Sequence, residues 1–359
     1  MNNSSPLRVG VIGLGYAGTA HLRSFARIPD VRIVALAGRE EARLHELGRE
    51  FFIPTLLGDW EDLVAVPELD VVSIATPNVL HAPIAIAALK AGKHVFCEKP
   101  LAINGDEARQ MVAAAHEHDR VLEVAFNHRR RGDIRLSRRH IVQPGLGRIY
   151  HVRASWKRRA GIPGHGTWFT NRKAAGGGAL IDLGPHVLDS VLHLLGEPRV
   201  VTASAVAHGE LGRSGRGFHP GTVIDGGVPS FDVEDLASAL LRLDDGSSIA
   251  LEISWAAHAV DEEEISIELL GVDAGIRIFV PSYRRDDTVR IYSDVDGEPA
   301  VIAPEVPDAG EEHPLVVAEF VDIVRSGDWS AHHGDSALHR TEVLDACYRS
   351  AALGREVVL

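Results

Sequence analysis

A chain of 359 residues, 45% apolar and 24% charged, is long enough for two domains and has the composition of an ordinary globular protein. A formal net charge of -13 argues against a general nucleic-acid binder, which needs a basic surface to displace counterions. No apolar run approaches a membrane span, the N-terminus has no signal-peptide pattern, and the two cysteines, Cys97 and Cys347, fit a reducing compartment, so a cytoplasmic protein without a structural metal is expected.

From residue 7 to about 126, short β-branched runs alternate with helical stretches. "LRVGVIG", "VRIVALAG", "LDVVSIAT", "HVFCEKP" and "VLEVAFN" read as strands, and such alternation means parallel strands with crossover helices. "NVLHAPIAIAALKAG" is an intervening helix, with Pro83 in its first turn and Gly92 as its stop. After residue 127 the strands come in pairs joined by tight turns such as Asp245-Gly246, the pattern of an antiparallel sheet. The chain is therefore expected to be α/β: a Rossmann doubly wound parallel sheet over residues 1–126, then an α+β domain over 127–359 with a large, mainly antiparallel open sheet. An uncovered apolar face on that sheet would call for another subunit. The segment 319–354 reads as two helices around a polar turn, and residues 207–230 as a loop. "RRRGDIRLSRRH", residues 129–140, reads as a solvated helix face, and His332 and His333 as surface residues.

"VGVIGLGYAGTAHLRSF" sets Gly13, Gly15 and Gly18, with Leu14, Tyr16 and Ala17 between them, after the first strand and at the mouth of a helix. There Gly13 permits the turn, Gly15 lets the backbone approach a pyrophosphate, and Gly18 lets helix and strand pack, with phosphates on the helix's unpaired N–H groups. At the end of the second strand, Gly38 stands where an acid would bind the ribose of NAD, and Arg39 follows. The missing carboxylate and the added guanidinium favour the 2′-phosphate of NADP, with NAD as the alternative; Glu40 and Glu41 pull the other way.

"GLGYAG", "ATPNVLHAPIAIAALKAGKHVFCEKPLA" and "GGGALIDLGPHVLD" together resemble the glucose-fructose oxidoreductase, inositol dehydrogenase and MocA family, Gfo/Idh/MocA, over nearly the whole chain. The resemblance implies a nicotinamide-dependent oxidoreductase acting on a carbinol or carbonyl carbon of a sugar or cyclitol, assembled as a homodimer or homotetramer. Carried onto this chain it implies Lys99 as the E-K-P lysine and Asp182 with His186 as the D-x-x-x-H pair. Asn78 and His81, its N-x-x-H, then lie near the nicotinamide end, and Thr76 and Pro77 beside them count among the cofactor-binding residues; the plainer reading makes Pro77 and Asn78 a helix-entry turn with Asn78 as N-cap.

The chemistry also follows from residue types. Ligands of doubly wound sheets bind beyond the carboxyl ends of the strands, so Lys99 would point into the cofactor crevice and stabilise charge on a substrate oxygen. Glu98 would orient it, and Pro100 would fix the turn through a cis peptide. A lysine reaching to solvent is the rival reading. Asp182 and His186 share one helix face if the preceding residues join the turn that Pro185 opens. His186 is then the general base, with Asp182 binding substrate or tuning it; a capping aspartate and a helix histidine is the competing account. The account requires the lysine and the imidazole to meet one nicotinamide carbon. For substrate, "WKRRAGIPGHGTWFTNRKAAGGG" offers Trp168 to stack on a sugar, and Arg158, His165, Thr167 and Asn171 to bond hydroxyls or an acidic group. Lys157, Arg158 and Arg159 suit an anionic substrate or the cofactor. Two further functions compete with a dehydrogenase: a redox-assisted glycoside hydrolase or lyase that recycles its cofactor, and a non-catalytic nucleotide sensor.

Overall fold

The computed structural model describes residues 6–142, 145–164, 166–219, 231–308 and 310–359. The chain divides into two units, Met1–Asn127 with Glu311–Thr341, and His128–Gly310 with Glu342–Leu359. The first is thus closed by a segment almost two hundred positions downstream, where the sequence suggests one continuous second domain.

Six parallel strands form the sheet of the first unit: β1 (Leu7–Ile12), β2 (Val31–Ala37), β3 (Thr55–Leu57), β4 (Val71–Ile74), β5 (His94–Cys97) and β6 (Leu122–Val124), in the order β3-β2-β1-β4-β5-β6. Helices α1 (Tyr16–Ala26), α2 (Glu41–Glu50), α3 (Trp60–Val64), α4 (His81–Lys90) and α5 (Gly105–His118) connect them. β4 and β5 are buried at every residue, as continuous apolar strands covered on both faces should be. Asn104 caps α5 by accepting the Glu107 N–H at 2.9 Å. Asn78 does not cap α4: it opens a separate 3-10 turn, Asn78–Leu80, and α4 starts only at His81.

The second unit carries α6 (Gly132–Val142), α7 (Arg172–Ala175), α8 (Ala179–Leu195), α9 (Glu210–Arg213) and a nine-stranded sheet. Its strands are β7 (Ile149–Arg158), β8 (Val200–His208), β9 (Leu236–Leu243), β10 (Ser248–Ser254), β11 (Glu263–Gly271), β12 (Ala274–Pro281), β13 (Val289–Val295), β14 (Glu298–Ile302) and β15 (Val357–Val358), ordered β14-β13-β12-β11-β7-β10-β9-β8-β15. Every pairing is antiparallel except β7 with β10, so the sheet is mixed. Val152, Ala154 and Trp156 of β7 and Ile249, Leu251 and Ile253 of β10 are buried in the core that also takes Leu180, Val187 and Leu188 of α8. The alternate positions are mixed: Leu240 and Tyr292 are exposed there and Ala250 and Phe279 share the face, but ion pairs and serines stand between them. Lys157 pairs with Glu264 at 2.9 Å and Arg153 with Glu268 at 3.4 Å, with Ser155, Ser266 and Ser238 in register among them.

The Arg-rich stretch is a solvated face only in part: Arg135 and Arg139 are exposed, but Arg129 and Arg131 are not. Arg129 makes a two-pronged bond to buried Asp189 at 2.8 and 2.6 Å, and Arg131, itself buried, makes one to Asp133 at 3.1 and 2.8 Å. Of the loop expected over 207–230, β8 and α9 take the first residues, and 220–230 lie outside the described residues.

Helices α10 (Glu312–Ser326) and α11 (Asp335–Leu353) precede the short last strand β15. α10 returns to the first unit, where Val316, Val317, Phe320 and Val321 enter the core with Leu22, Phe25 and Phe96; the rings of Phe96 and Phe320 lie 5.2 Å apart. His333 is buried, 3.3 Å from Asp119, and His332 meets Glu123 at 2.7 Å, so neither is a plain surface residue. Cys97 and Cys347 are free and buried. Among the described residues, no helix is long and apolar enough to cross a membrane.

Candidate active site

The glycine loop explains itself residue by residue. Gly13 has φ +114°, and a Cβ there would strike the Ala75 carbonyl; one on Gly18 would strike the Gly13 carbonyl. Those two glycines are needed by packing. Gly15 is not: a Cβ on it would meet no protein atom within 4 Å, so its bareness serves whatever lies outside the loop. No acidic residue occupies the first turn of α1, and Tyr16 is exposed. On β4's exit, the Thr76 hydroxyl is buried with no hydrogen-bond partner among the described residues. An open glycine cradle, a helix N-terminus without acids and an orphaned hydroxyl fit a dinucleotide. At the end of β2, Gly38 is bare because a Cβ would collide with Leu14, and Arg39 is exposed.

The E-K-P segment leaves β5 with a cis Lys99–Pro100 peptide, as the sequence suggests. Glu98 accepts the Lys99 backbone N–H at 3.1 Å. Beneath it lies a buried chain that the sequence reading missed: Ser73 Oγ is 2.8 Å from His21 Nδ1, His21 Nε2 is 3.1 Å from Glu98 Oε1, and His313 of α10 is 3.6 Å from the same oxygen. Burial alone would raise the Glu98 carboxyl, but His21 and His313 hold it well below the usual carboxylate range. His81, fully buried, spans two loops: its ring nitrogens meet the Pro100 carbonyl at 2.7 Å and the Thr76 carbonyl at 3.0 Å. Its part is thus to brace the loops carrying Lys99 and Thr76, and burial lowers its pKa.

In the second unit, Asp182 and His186 lie one turn apart on α8, hence on one face. Pro185 sits inside this helix rather than in its first turn, because the helix begins more than a full turn earlier, at Ala179. Asp182 accepts the indole N–H of fully buried Trp255 at 2.9 Å. His186 stacks on His128, ring centroids 4.4 Å apart and 25° from parallel, and both pack against Trp156, at 5.6 and 5.2 Å. Neither Trp255 nor His128 was singled out from the sequence, since their roles come from tertiary packing. The α8 N-terminus is held by Glu234, which accepts from the N–H groups of Gly178 at 3.0 Å and Leu180 at 2.9 Å and from the Tyr348 hydroxyl at 2.8 Å. Burial pushes the Glu234 carboxyl up in spite of these donors.

The expected substrate residues fare unevenly. Arg158 bonds Glu263 through Nε, donates to the Tyr283 hydroxyl at 3.2 Å and lies 5.3 Å over the Trp156 ring. Glu263 also accepts the Trp156 indole N–H at 2.6 Å, so the guanidinium is already matched by a carboxylate. The Tyr283 hydroxyl is pushed up to about 12, by burial first. Lys157 points to the other face of the strand. Asn171 caps α7, accepting from Lys173 and Ala174 N–H, and Thr167 bonds the Gly164 carbonyl within its own turn. Trp168 stacks on Phe169 at 3.8 Å. His165 lies outside the described residues.

Two family profiles match the sequence: an oxidoreductase family with an NAD-binding Rossmann fold (GFO_IDH_MocA) over residues 7–126, and the GFO/IDH/MocA C-terminal domain over 134–277. D-glucoside 3-dehydrogenase of Escherichia coli (strain K12) is 29% identical over 99% of this chain and 98% of its own. Levoglucosan dehydrogenase of Pseudarthrobacter phenanthrenivorans is 34% identical over 79% of this chain and 76% of its own. A solved levoglucosan dehydrogenase in complex with NADH and L-sorbose superposes with a TM-score of 0.84 at 28% identity, covering 98% of each chain.

Proposed function

We propose that this chain, which belongs to the Gfo/Idh/MocA oxidoreductase family, oxidises a secondary hydroxyl of a sugar, cyclitol or related polyol, with hexose glycosides first among the candidates. The observation that carries the reading is the Asp182–His186 pair on one face of α8, with Asp182 fixed by Trp255.

Bound at the glycine loop, a nicotinamide dinucleotide supplies the two-electron acceptor. Gly13 to Gly18 and the first N–H groups of α1 would hold its pyrophosphate, and the Thr76 hydroxyl, unpartnered among the described residues, would be free to bond it. His186 takes the proton from the substrate hydroxyl, and Asp182 orients the substrate or the imidazole. Lys99, leaving the carboxyl end of β5, is the cation the family resemblance implies for stabilising negative charge on a substrate oxygen. In the reverse direction His186 returns the proton to the oxygen.

NADP is preferred over NAD in this reading, because Gly38 presents no carboxylate and exposed Arg39 can bond a 2′-phosphate. The NADH-bound relative supports the alternative. A homodimer or homotetramer remains our proposal, through a sheet face that mixes ion pairs with apolar residues such as Leu240 and Phe279. Screening sugars, glycosides and cyclitols with both cofactors tests the function. Stoichiometric growth of reduced-nicotinamide absorbance is expected; product release without net growth would instead support the cofactor-recycling lyase.

A further inference from the structure

The turn after β12 holds two consecutive side-chain-bearing residues where glycine is usual. Ser282 has φ +44° and Tyr283 φ +57°. The turn is tied down at several points: the Ser282 N–H donates to the Glu263 carbonyl at 2.8 Å, its hydroxyl donates to Glu262, and the Arg284 N–H donates to the Pro281 carbonyl at 2.9 Å. Its effect is to stand the Tyr283 ring edge-on against Trp156, centroids 5.8 Å apart, with the hydroxyl bonded to Arg158. Trp156 is 2% exposed, enclosed by His128, His186 and the Arg158 guanidinium, and has no face to offer a ligand. Tyr283 is 45% exposed. In the series His186, Trp156, Tyr283 it is therefore the first aromatic that keeps a ring surface for something outside the protein, one ring removed from the proposed base. A fixed aromatic face with a polar edge is what the C–H face and hydroxyls of a sugar require.

We propose that Tyr283 forms the wall of a second subsite, taking the sugar or aromatic group glycosidically attached to the ring whose hydroxyl is oxidised. The inference rests on His186 being the base. Substrates of two rings should then be preferred over free hexoses. The test compares kcat/KM for D-glucose, cellobiose and phenyl β-D-glucoside in the wild type, Tyr283→Ala and Tyr283→Phe. Tyr283→Ala is expected to lose about tenfold on the two-ring probes, through KM, while glucose stays within about twofold; Tyr283→Phe, which keeps the ring, should retain most of the preference. Equal losses on all three probes, no loss on any, or a wild type that turns over glucose as well as the two-ring probes or turns over none of them overturns the subsite. His186→Ala keeps the two failures apart. Normal turnover in that variant sinks the base assignment, whereas the ratio between probes judges Tyr283 alone.

Discussion

Replacing Glu234 by alanine should loosen the helix on which the acid–base pair stands. The carboxylate is 4% exposed and satisfies three donors: the N–H groups of Gly178 and Leu180 and the Tyr348 hydroxyl. Each donor left buried without a partner costs about 1–3 kcal/mol, and since the three share one acceptor their losses do not simply add. About 3 kcal/mol is the expected loss, which for a unit of this size lowers the melting temperature by roughly 6–12 °C. Glu234→Gln keeps one acceptor oxygen and should lose about a third as much. Thermal unfolding followed by near-ultraviolet circular dichroism measures both variants. Turnover of Glu234→Ala at a temperature where it is folded should drop because Asp182 and His186 lose their fixed direction, while cofactor affinity holds, since the glycine loop belongs to the other unit. An alanine variant melting within about 1 °C of wild type would refute the reasoning, because the three donors would then be finding water.

Three other outcomes are expected. His186→Ala should lose about 10²–10⁴-fold in kcat with cofactor binding intact, the usual scale for a general base, and near-normal turnover would remove it from that role. Arg39→Ala should weaken NADP about tenfold and leave NAD unchanged in titrations of cofactor fluorescence; a wild type that binds NAD more tightly ends the NADP preference. His94 accepts the Val121 N–H at 3.1 Å and is lowered to about 4, by burial first and then Arg120. Its unfolded form takes a proton near 6.5, so the stability it protects is whole above that pH and is lost as pH falls from 6.5 to 4. After allowance for its partial exposure this amounts to about 2 kcal/mol. His94→Asn keeps an acceptor without titrating, so its urea midpoint should fall less than the wild type's from pH 7.5 to 5; parallel profiles would contradict the assignment.

The parallel sheet was legible because β1, β2, β4 and β5 are apolar, β-branched runs bounded by turn residues, and the glycines and the E-K-P segment sit at strand ends, where chemistry in such sheets is found. β3, three half-buried residues, gave no periodicity to detect. The Asp182–His186 face was legible because four residues make one helical turn. Its supports were not: Trp255 lies on another strand's end and Glu234 in a loop, and only folding brings them to α8. Strand alternation separates Lys157 from Arg158, neighbours that composition alone groups as one basic patch. The buried arginine pairs show the same limit, since a charge run says nothing of the aspartates it will find.

That α10 supplies Val317 and Phe320 to the nucleotide-binding core, and His313 to Glu98, bears on how the protein is made. A nascent chain that has just released β6 from the ribosome cannot yet finish its first sheet: Phe25 and Phe96 wait, partly uncovered, until nearly the last helix emerges. Cutting the gene after residue 127 to obtain a free-standing nucleotide-binding fragment would therefore yield a sticky, incomplete body, whereas grafting residues 311–341 onto it through a short linker would restore the missing wall.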